Sequence, residues 1–201
     1  MLEIKHLRKS FSNNCVLDNI SCSFSKGKII ALLGQNGSGK TTLLKCLGNI
    51  MNIDSGEIKY NASNFLFIND KPNIFGDLTI YENLRYILSI YNHKFDSDIY
   101  KKSIKDLGLN SMQSVPLKHL SAGNIQRNKI LIALNTNWEY LLIDEPFSNL
   151  DKEGSIIVKD TFSSLKNEDR TILFSTHNFI NVSDICDISF EIKDGKFSRH
   201  D

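Results

Sequence analysis

The chain has 201 residues, 41% of them apolar and 23% charged, which suits one domain with a buried core and a solvated surface. Lys and Arg total 24 against 23 Asp and Glu, so a net charge of +1 excludes a whole-molecule field for holding nucleic acid or an anionic membrane. Apolar runs reach only about five residues, as at 29–33, against the roughly 20 that a bilayer-spanning helix needs.

The N-terminal stretch Met1-Leu2-Glu3-Ile4-Lys5 lacks the charged-then-apolar layout of a secretory leader, and the expectation is a cytosolic protein. Residues 2–7 and 16–24 alternate as strands do, and 28–33 is a compact apolar strand that ends at a glycine-rich turn. A helix is expected over 40–47 and a strand over 65–68. From Thr79 the pattern turns helical: Ile80, Leu84, Ile87, Leu88 and Tyr91 fall on one face, and Thr79 with Glu82 makes a capping box. Further helices are expected over 99–107, 125–134 and 152–165, with strands over 140–143 and 171–174. Residues 187–192 and 196–198, joined through Asp194-Gly195, read as a closing hairpin. Cys15, Cys22, Cys46 and Cys186 lie far apart with no C-x-x-C spacing, which argues for reduced, mostly buried thiols rather than a zinc site or a disulfide framework. Buried parallel strands with helices between them give an α/β protein, its core in 1–70 and 140–201 and an inserted α-helical subdomain in 71–139.

Gly34-Gln35-Asn36-Gly37-Ser38-Gly39-Lys40-Thr41 matches the P-loop pattern G-x-x-x-x-G-K-S/T, placed between a buried strand and a helix as its chemistry requires. Glycines let consecutive amides turn inward around an anion, and the helix N-terminus adds partial positive charge. Phosphate-binding candidates are therefore Gly34, Asn36, Gly37, Ser38, Gly39, Lys40, Thr41 and Thr42. Lys40 supplies a full charge to the β- and γ-phosphates of a nucleotide, and the Thr41 hydroxyl is a candidate ligand for Mg²⁺. The strand at 140–143 delivers Asp144 and Glu145 to the carboxyl edge of a parallel sheet, Asp144 for the metal and Glu145 for the attacking water. His177 emerges from the third apolar strand at the same edge and is a γ-phosphate contact; His6, His93, His119 and His200 lack this placement.

Between the phosphate loop and the acidic strand stands Leu120-Ser121-Ala122-Gly123, directly before a helix, where the ATP-binding cassette family has its L-S-G-G-Q signature. With Phe11 in the place of an adenine-stacking aromatic, Ser148-Asn149-Leu150-Asp151 as the D-loop and His177 as the switch histidine, the chain resembles that family over nearly its whole length. The resemblance implies a mainly parallel core sheet, an N-terminal antiparallel β subdomain and the helical insertion. It also implies an ATP-dependent homodimer in which Ser121 and Gly123 meet the nucleotide held by the other copy, and makes Asp151 of the D-loop a further nucleotide-binding residue. Two departures stand out. Asn124 replaces the usual Gln and is one methylene shorter for a capping box. Asp70 occupies the position of the glutamine that senses Mg²⁺ and the attacking water, and is a catalytic and metal-ligand candidate there.

The long coiled coils of chromosome cassettes, the fused pair of translation-factor cassettes and the zinc modules of excision-repair cassettes have no counterpart in this sequence. The expectation is a transport ATPase peripheral to the cytoplasmic face of the inner membrane, docked on an integral membrane subunit through residues 71–78 and not a nucleic-acid protein. Within the family, Val115-Pro116-Leu117-Lys118-His119 before the signature and Asp70-Lys71-Pro72-Asn73-Ile74 are similar to the haem-exporter subunits of cytochrome c maturation. Haem itself is not expected on this chain, which has no C-x-x-C-H and no histidine in a haem-ligand setting. The alternatives are a subunit of another small exporter, or a cassette acting on nucleic acid.

Overall fold

The computed structural model describes residues 1–61, 64–70, 75–167 and 169–200. The chain divides into two compact units, one of 1–70, 138–145 and 166–201 and the other of 71–137 and 146–165. Thus 146–165, which the sequence places with the core, groups with the helical unit.

The first unit holds two sheets. Strands β1 (Leu2–Phe11), β2 (Asn14–Phe24) and β4 (Ser55–Tyr60) form an antiparallel sheet in the order β2-β1-β4. Strands β3 (Ile29–Leu33), β5 (Phe65–Ile68), β6 (Tyr140–Ile143), β7 (Thr171–Thr176), β8 (Ile188–Lys193) and β9 (Lys196–His200) form the other, in the order β5-β6-β7-β3-β8-β9. Every pairing in it is parallel except the β8–β9 hairpin. That hairpin closes through Asp194 and Gly195, both at positive φ, the geometry that matches a tight turn to the twist of its strands. Helix α1 (Lys40–Leu47) places Leu43, Leu44, Cys46 and Leu47 in one core with Leu2, Ile4, Leu17, Ile30 and Leu142. Residues in β3, β6 and β7 are buried throughout, the reason β3, β6 and the Ile172–Phe174 stretch of β7 read as apolar runs rather than alternating ones. Strand β4 was not expected, because its exposed Ser-Gly-Glu start carries no apolar alternation.

The second unit consists of α2 (Ile80–Ile90), α3 (Ser97–Asp106), α4 (Ala122–Leu134), α5 (Lys152–Leu165) and two short 3₁₀ turns. Thr79 caps α2 in the expected box with Glu82, but Tyr91 is the C-cap and lies exposed rather than on the apolar face. Helix α3 starts two residues earlier than its periodicity suggests, because Asp96 accepts the amides of Asp98 and Ile99. Helix α4 packs against α2, α3 and α5. Among the described residues no helix is long and apolar enough to cross a membrane. Of the four thiols only Cys46 is buried; Cys15 is exposed, and Cys22 and Cys186 are half-buried. Burial pushes Cys22 up to about 12 and Cys46 to about 11, so both stay protonated at neutral pH.

Candidate functional site

Strands β6, β7 and β3 are neighbours and parallel, with Ile143 beside Phe174 and Leu33 beside Thr176. Their carboxyl ends therefore converge, and each leads into a segment with chemistry. After β3 the chain turns through residues 34–39 into α1. Gly39, its N-cap, has φ 106°, and a Cβ there would stand 3.0 Å from the side chains of Val16 and Leu17. A Cβ at Gly34 would stand 2.6 Å from the Ile192 carbonyl oxygen, so neither position admits a side chain without displacement. No side chain caps α1 and no acidic residue stands in its first turn. Its leading amides are thus available to an anion. Thr42 is half-buried in that same turn, and Asn36 and Gly37 are exposed in the loop.

Lys40 is 6% exposed, and its ammonium donates to the carbonyls of Gly34 at 2.8 Å and Gln35 at 3.2 Å. Its Nζ also lies 3.5 Å from Glu145 Oε1. The Thr41 hydroxyl donates to Asp144 Oδ2 at 2.6 Å, and Asp144 itself is 2% exposed. Glu145 adopts φ 47°, a conformation rare outside glycine. Its Oε2 lies 3.1 Å from His177 Nδ1, and its amide donates to Ser175 Oγ at 2.9 Å. Ser175 Oγ in turn donates to Asp144 Oδ1. The turn after β7 is held by the Asn178 amide donating to Thr176 Oγ1 at 3.1 Å, which leaves His177 projecting outward. Lys40, Thr41, Asp144, Glu145 and His177 are thus joined by direct contacts, although Lys40 and Thr41 precede the other three by more than 100 positions in the sequence.

The donor set fits a magnesium nucleotide. Ser38 Oγ is buried without a hydrogen-bond partner inside the loop, an open donor where phosphate oxygens would lie. Among the described residues no three His, Cys, Asp or Glu gather into a preformed metal cluster. A hydroxyl and one carboxylate in contact suit a cation that draws its remaining ligands from substrate phosphates and water. A cavity of about 390 Å³ adjoins the loop, lined on one side by Asn14, Cys15 and Val16 and on the other by Lys193 to Gly195. No local pattern in the sequence groups these residues, because two hairpins assemble them.

The other expected residues come from other segments of the chain. Phe11 ends β1, is 46% exposed and has the Lys9 ammonium 5.5 Å from its ring centroid. Asp70 is exposed after β5, its amide donating to Asn69 Oδ1 at 2.8 Å. In the second unit Ser121 is the exposed N-cap of α4 and accepts the Asn124 amide at 3.2 Å. Gly123 follows in the first turn, where a Cβ would stand 3.0 Å from the Asn149 carbonyl oxygen. Asn124 does not complete a capping box: its side chain turns inward to Met112 Sδ and to the Arg127 guanidinium. Asp151 Oδ1 accepts the Gly154 amide at 2.7 Å, an N-cap contact for α5. Of the expected docking segment 71–78, residues 71–74 lie outside the described residues.

A sequence profile of the ABC transporter family matches residues 17–148. The phosphonates import ATP-binding protein PhnC of Fusobacterium nucleatum is 27% identical, the alignment covering 98% of this chain and 90% of PhnC. The cytochrome c biogenesis ATP-binding export protein CcmA of Vibrio vulnificus is 29% identical over 88% of this chain and 92% of its own. Among solved structures, an ATP-binding subunit of an ABC transporter superposes with a TM-score of 0.86 at 25% identity, covering 99% of this chain and 90% of the other. An importer subunit and an exporter subunit resemble the chain to nearly the same degree, so the likeness does not single out the haem exporters. With a phosphate loop, two carboxylates and a histidine converging at one sheet edge, and a family profile spanning most of the chain, this protein belongs to the ABC transporter family as an ATP-binding subunit.

Proposed function

We propose that the chain hydrolyses ATP at the cluster of Lys40, Thr41, Asp144, Glu145 and His177, and that two copies couple this to transport through a membrane partner. The observation that carries the reading is Glu145, set at φ 47° with its carboxylate between Lys40 and His177. A carboxylate so placed points beyond the phosphate loop, where it orients and deprotonates the attacking water. Lys40 exchanges its carbonyl partners for phosphate oxygens, and His177 contacts the γ-phosphate while bearing on Glu145. Thr41 and Asp144 would hold Mg²⁺, which neutralises charge on the β- and γ-phosphates when bound.

Ser121 and the first turn of α4 present an exposed helix N-terminus, suited to the γ-phosphate held by a second copy. Gly123 and Asp151 belong to the same interface, Phe11 to the adenine face and Asp70 to metal sensing. Glu145→Gln should slow turnover by about 10²–10⁴ while ATP still binds, and should trap a dimer that light scattering reads as twice the monomer mass. Turnover at the wild-type rate overturns the role of Glu145, and monomers at saturating magnesium ATP overturn the paired site.

For the cargo, export of haem is the finer reading. It is supported by the residues around Asp70 and before Ser121 and by the likeness to CcmA. Uptake of a small anionic solute is the competing reading, supported by the likeness to PhnC. Haem is held by the membrane partner in the first reading and does not touch this chain. Purification from solubilised membranes decides between them by the integral protein that accompanies the chain; ATPase stimulation by polynucleotide with no membrane partner would overturn both.

A further inference from the structure

Ser175 lies in β7, between the strand that ends in the two carboxylates and the strand that ends in the phosphate loop. Its residue is 0% exposed, yet its hydroxyl is not a solitary satisfied group in the core. The Oγ–H donates to Asp144 Oδ1, and the same oxygen accepts the Glu145 amide at 2.9 Å. One side chain therefore grips two consecutive residues of the site, one by its carboxylate and the other by its backbone.

Adjacent carboxylates have to point to different tasks. With Oδ1 held by Ser175, the Asp144 carboxylate presents Oδ2 to Thr41 at 2.6 Å. Glu145 stands at φ 47°, a conformation that persists only where surrounding contacts hold it. A bond to its amide from a buried strand supplies such a hold. If that bond were absent, relaxation of φ toward the ordinary negative range would redirect the Cα–Cβ bond and carry Oε1 and Oε2 away from Lys40 and His177.

We propose that Ser175 is a positioning residue that sets the Asp144 carboxylate for the metal and the Glu145 backbone for hydrolysis through one shared hydroxyl. The inference rests on ATP hydrolysis at this site as proposed above. A serine at this position is not part of any motif in the sequence; only strand pairing brings it against residues 31 and 30 positions away.

The test compares Ser175→Ala, Ser175→Val and Ser175→Thr. Steady-state hydrolysis is measured together with the Mg²⁺ concentration needed for half-maximal binding of a fluorescent ATP analogue, and with binding of the analogue in EDTA. Ala and Val should lower kcat and raise the Mg²⁺ requirement each by about 10- to 100-fold, the range for groups that orient metal ligands. Thr matches Val in shape but keeps the hydroxyl, and should stay close to the wild type. Binding in EDTA, which reads the phosphate loop and the integrity of the fold, should be equal in all. Wild-type kcat and Mg²⁺ requirement in Ser175→Ala, or an equal fall in Thr and Val, would overturn the inference while leaving hydrolysis in place. A wild-type protein that does not hydrolyse ATP would overturn the proposed function and this inference with it.

Discussion

The Thr41 hydroxyl donates to the Asp144 carboxylate at 2.6 Å across 103 residues of sequence. Thr41 leads α1 and Asp144 follows β6, so the contact exists only because β7 lies between β6 and β3 and holds both strands in parallel register. Oxygen ligands already in contact need little rearrangement to take up a hard cation. Thr41→Ala should leave nucleotide binding in EDTA unchanged and raise the Mg²⁺ needed for half-maximal hydrolysis at least about 10-fold. Chelation of the metal should stop hydrolysis outright. An unaltered Mg²⁺ requirement would remove Thr41 from the metal's ligands.

Phe11 is an exposed aromatic ring that stands outside the buried core. Its removal should cost the fold little and the nucleotide much. Phe11→Ala is expected to weaken ATP binding by about 1–3 kcal/mol, the range for stacking of one base on an aromatic ring. Titration calorimetry reads this directly, and equal affinities would place the adenine elsewhere.

Asn83 is 0% exposed in α2 and spends its whole amide on the segment before that helix. Its nitrogen donates to the carbonyls of Phe75, Leu78 and Thr79, and its oxygen accepts the Phe75 amide at 2.9 Å. Asn83→Leu keeps the volume and leaves the Phe75 amide unmet, while the three carbonyls keep the amides of Leu78, Leu117 and residue 83 as donors. A loss of about 1–3 kcal/mol in urea unfolding is expected, the cost of one buried unmet group. Stability equal to the wild type would mean that residues 75–79 hold their shape without this side chain.

Asp187 joins the start of β8 to the start of β3. Its Oδ2 accepts the Ile29 amide at 2.7 Å, and its Oδ1 accepts from Lys166 at 2.7 Å. Burial alone would raise this carboxyl, but the bonds from Lys166 and Ile29 and the charges of Lys166 and Lys28 outweigh it and hold it below the usual value. A carboxyl depressed in the folded state contributes stability that is present above its unfolded pKa of about 4 and is lost as pH falls through the folded value. Asp187→Asn should therefore cost about 1–2 kcal/mol at pH 7, and the gap between variant and wild type should close progressively below about pH 4. A gap of the same size at pH 7 and pH 3 would contradict the assignment.

Much of this architecture is legible from local pattern. Residues 29–33, 140–143 and 172–174 read as buried strands because a strand covered on both faces favours apolar side chains at successive positions. Thr79 and Glu82 announce the start of α2 because both partners of a capping box lie within one turn. Strand β4 escaped notice for the converse reason. It lies mostly exposed, and its residues gain their strand character from pairing with β1. Asn124 shows a local rule overridden: its spacing from Ser121 suits a cap, yet Met112 and Arg127 draw its side chain into the helical unit.

By itself the sequence determined which chemical groups are available: the glycine-lined phosphate loop, the cation Lys40, the paired carboxylates Asp144 and Glu145, and His177 after its strand. Such motifs survive in one dimension because glycine conformations, helix N-termini and strand ends are short-range properties. Tertiary structure alone decided which of those groups touch, how Glu145 is set at its unusual φ, and that the hydroxyl of Ser175 serves two carboxylate residues at once. Those contacts arise from the order and register of parallel strands, β6 on β7 and β7 on β3, which depend on pairing between segments distant in the sequence and leave no mark on any single stretch of chain.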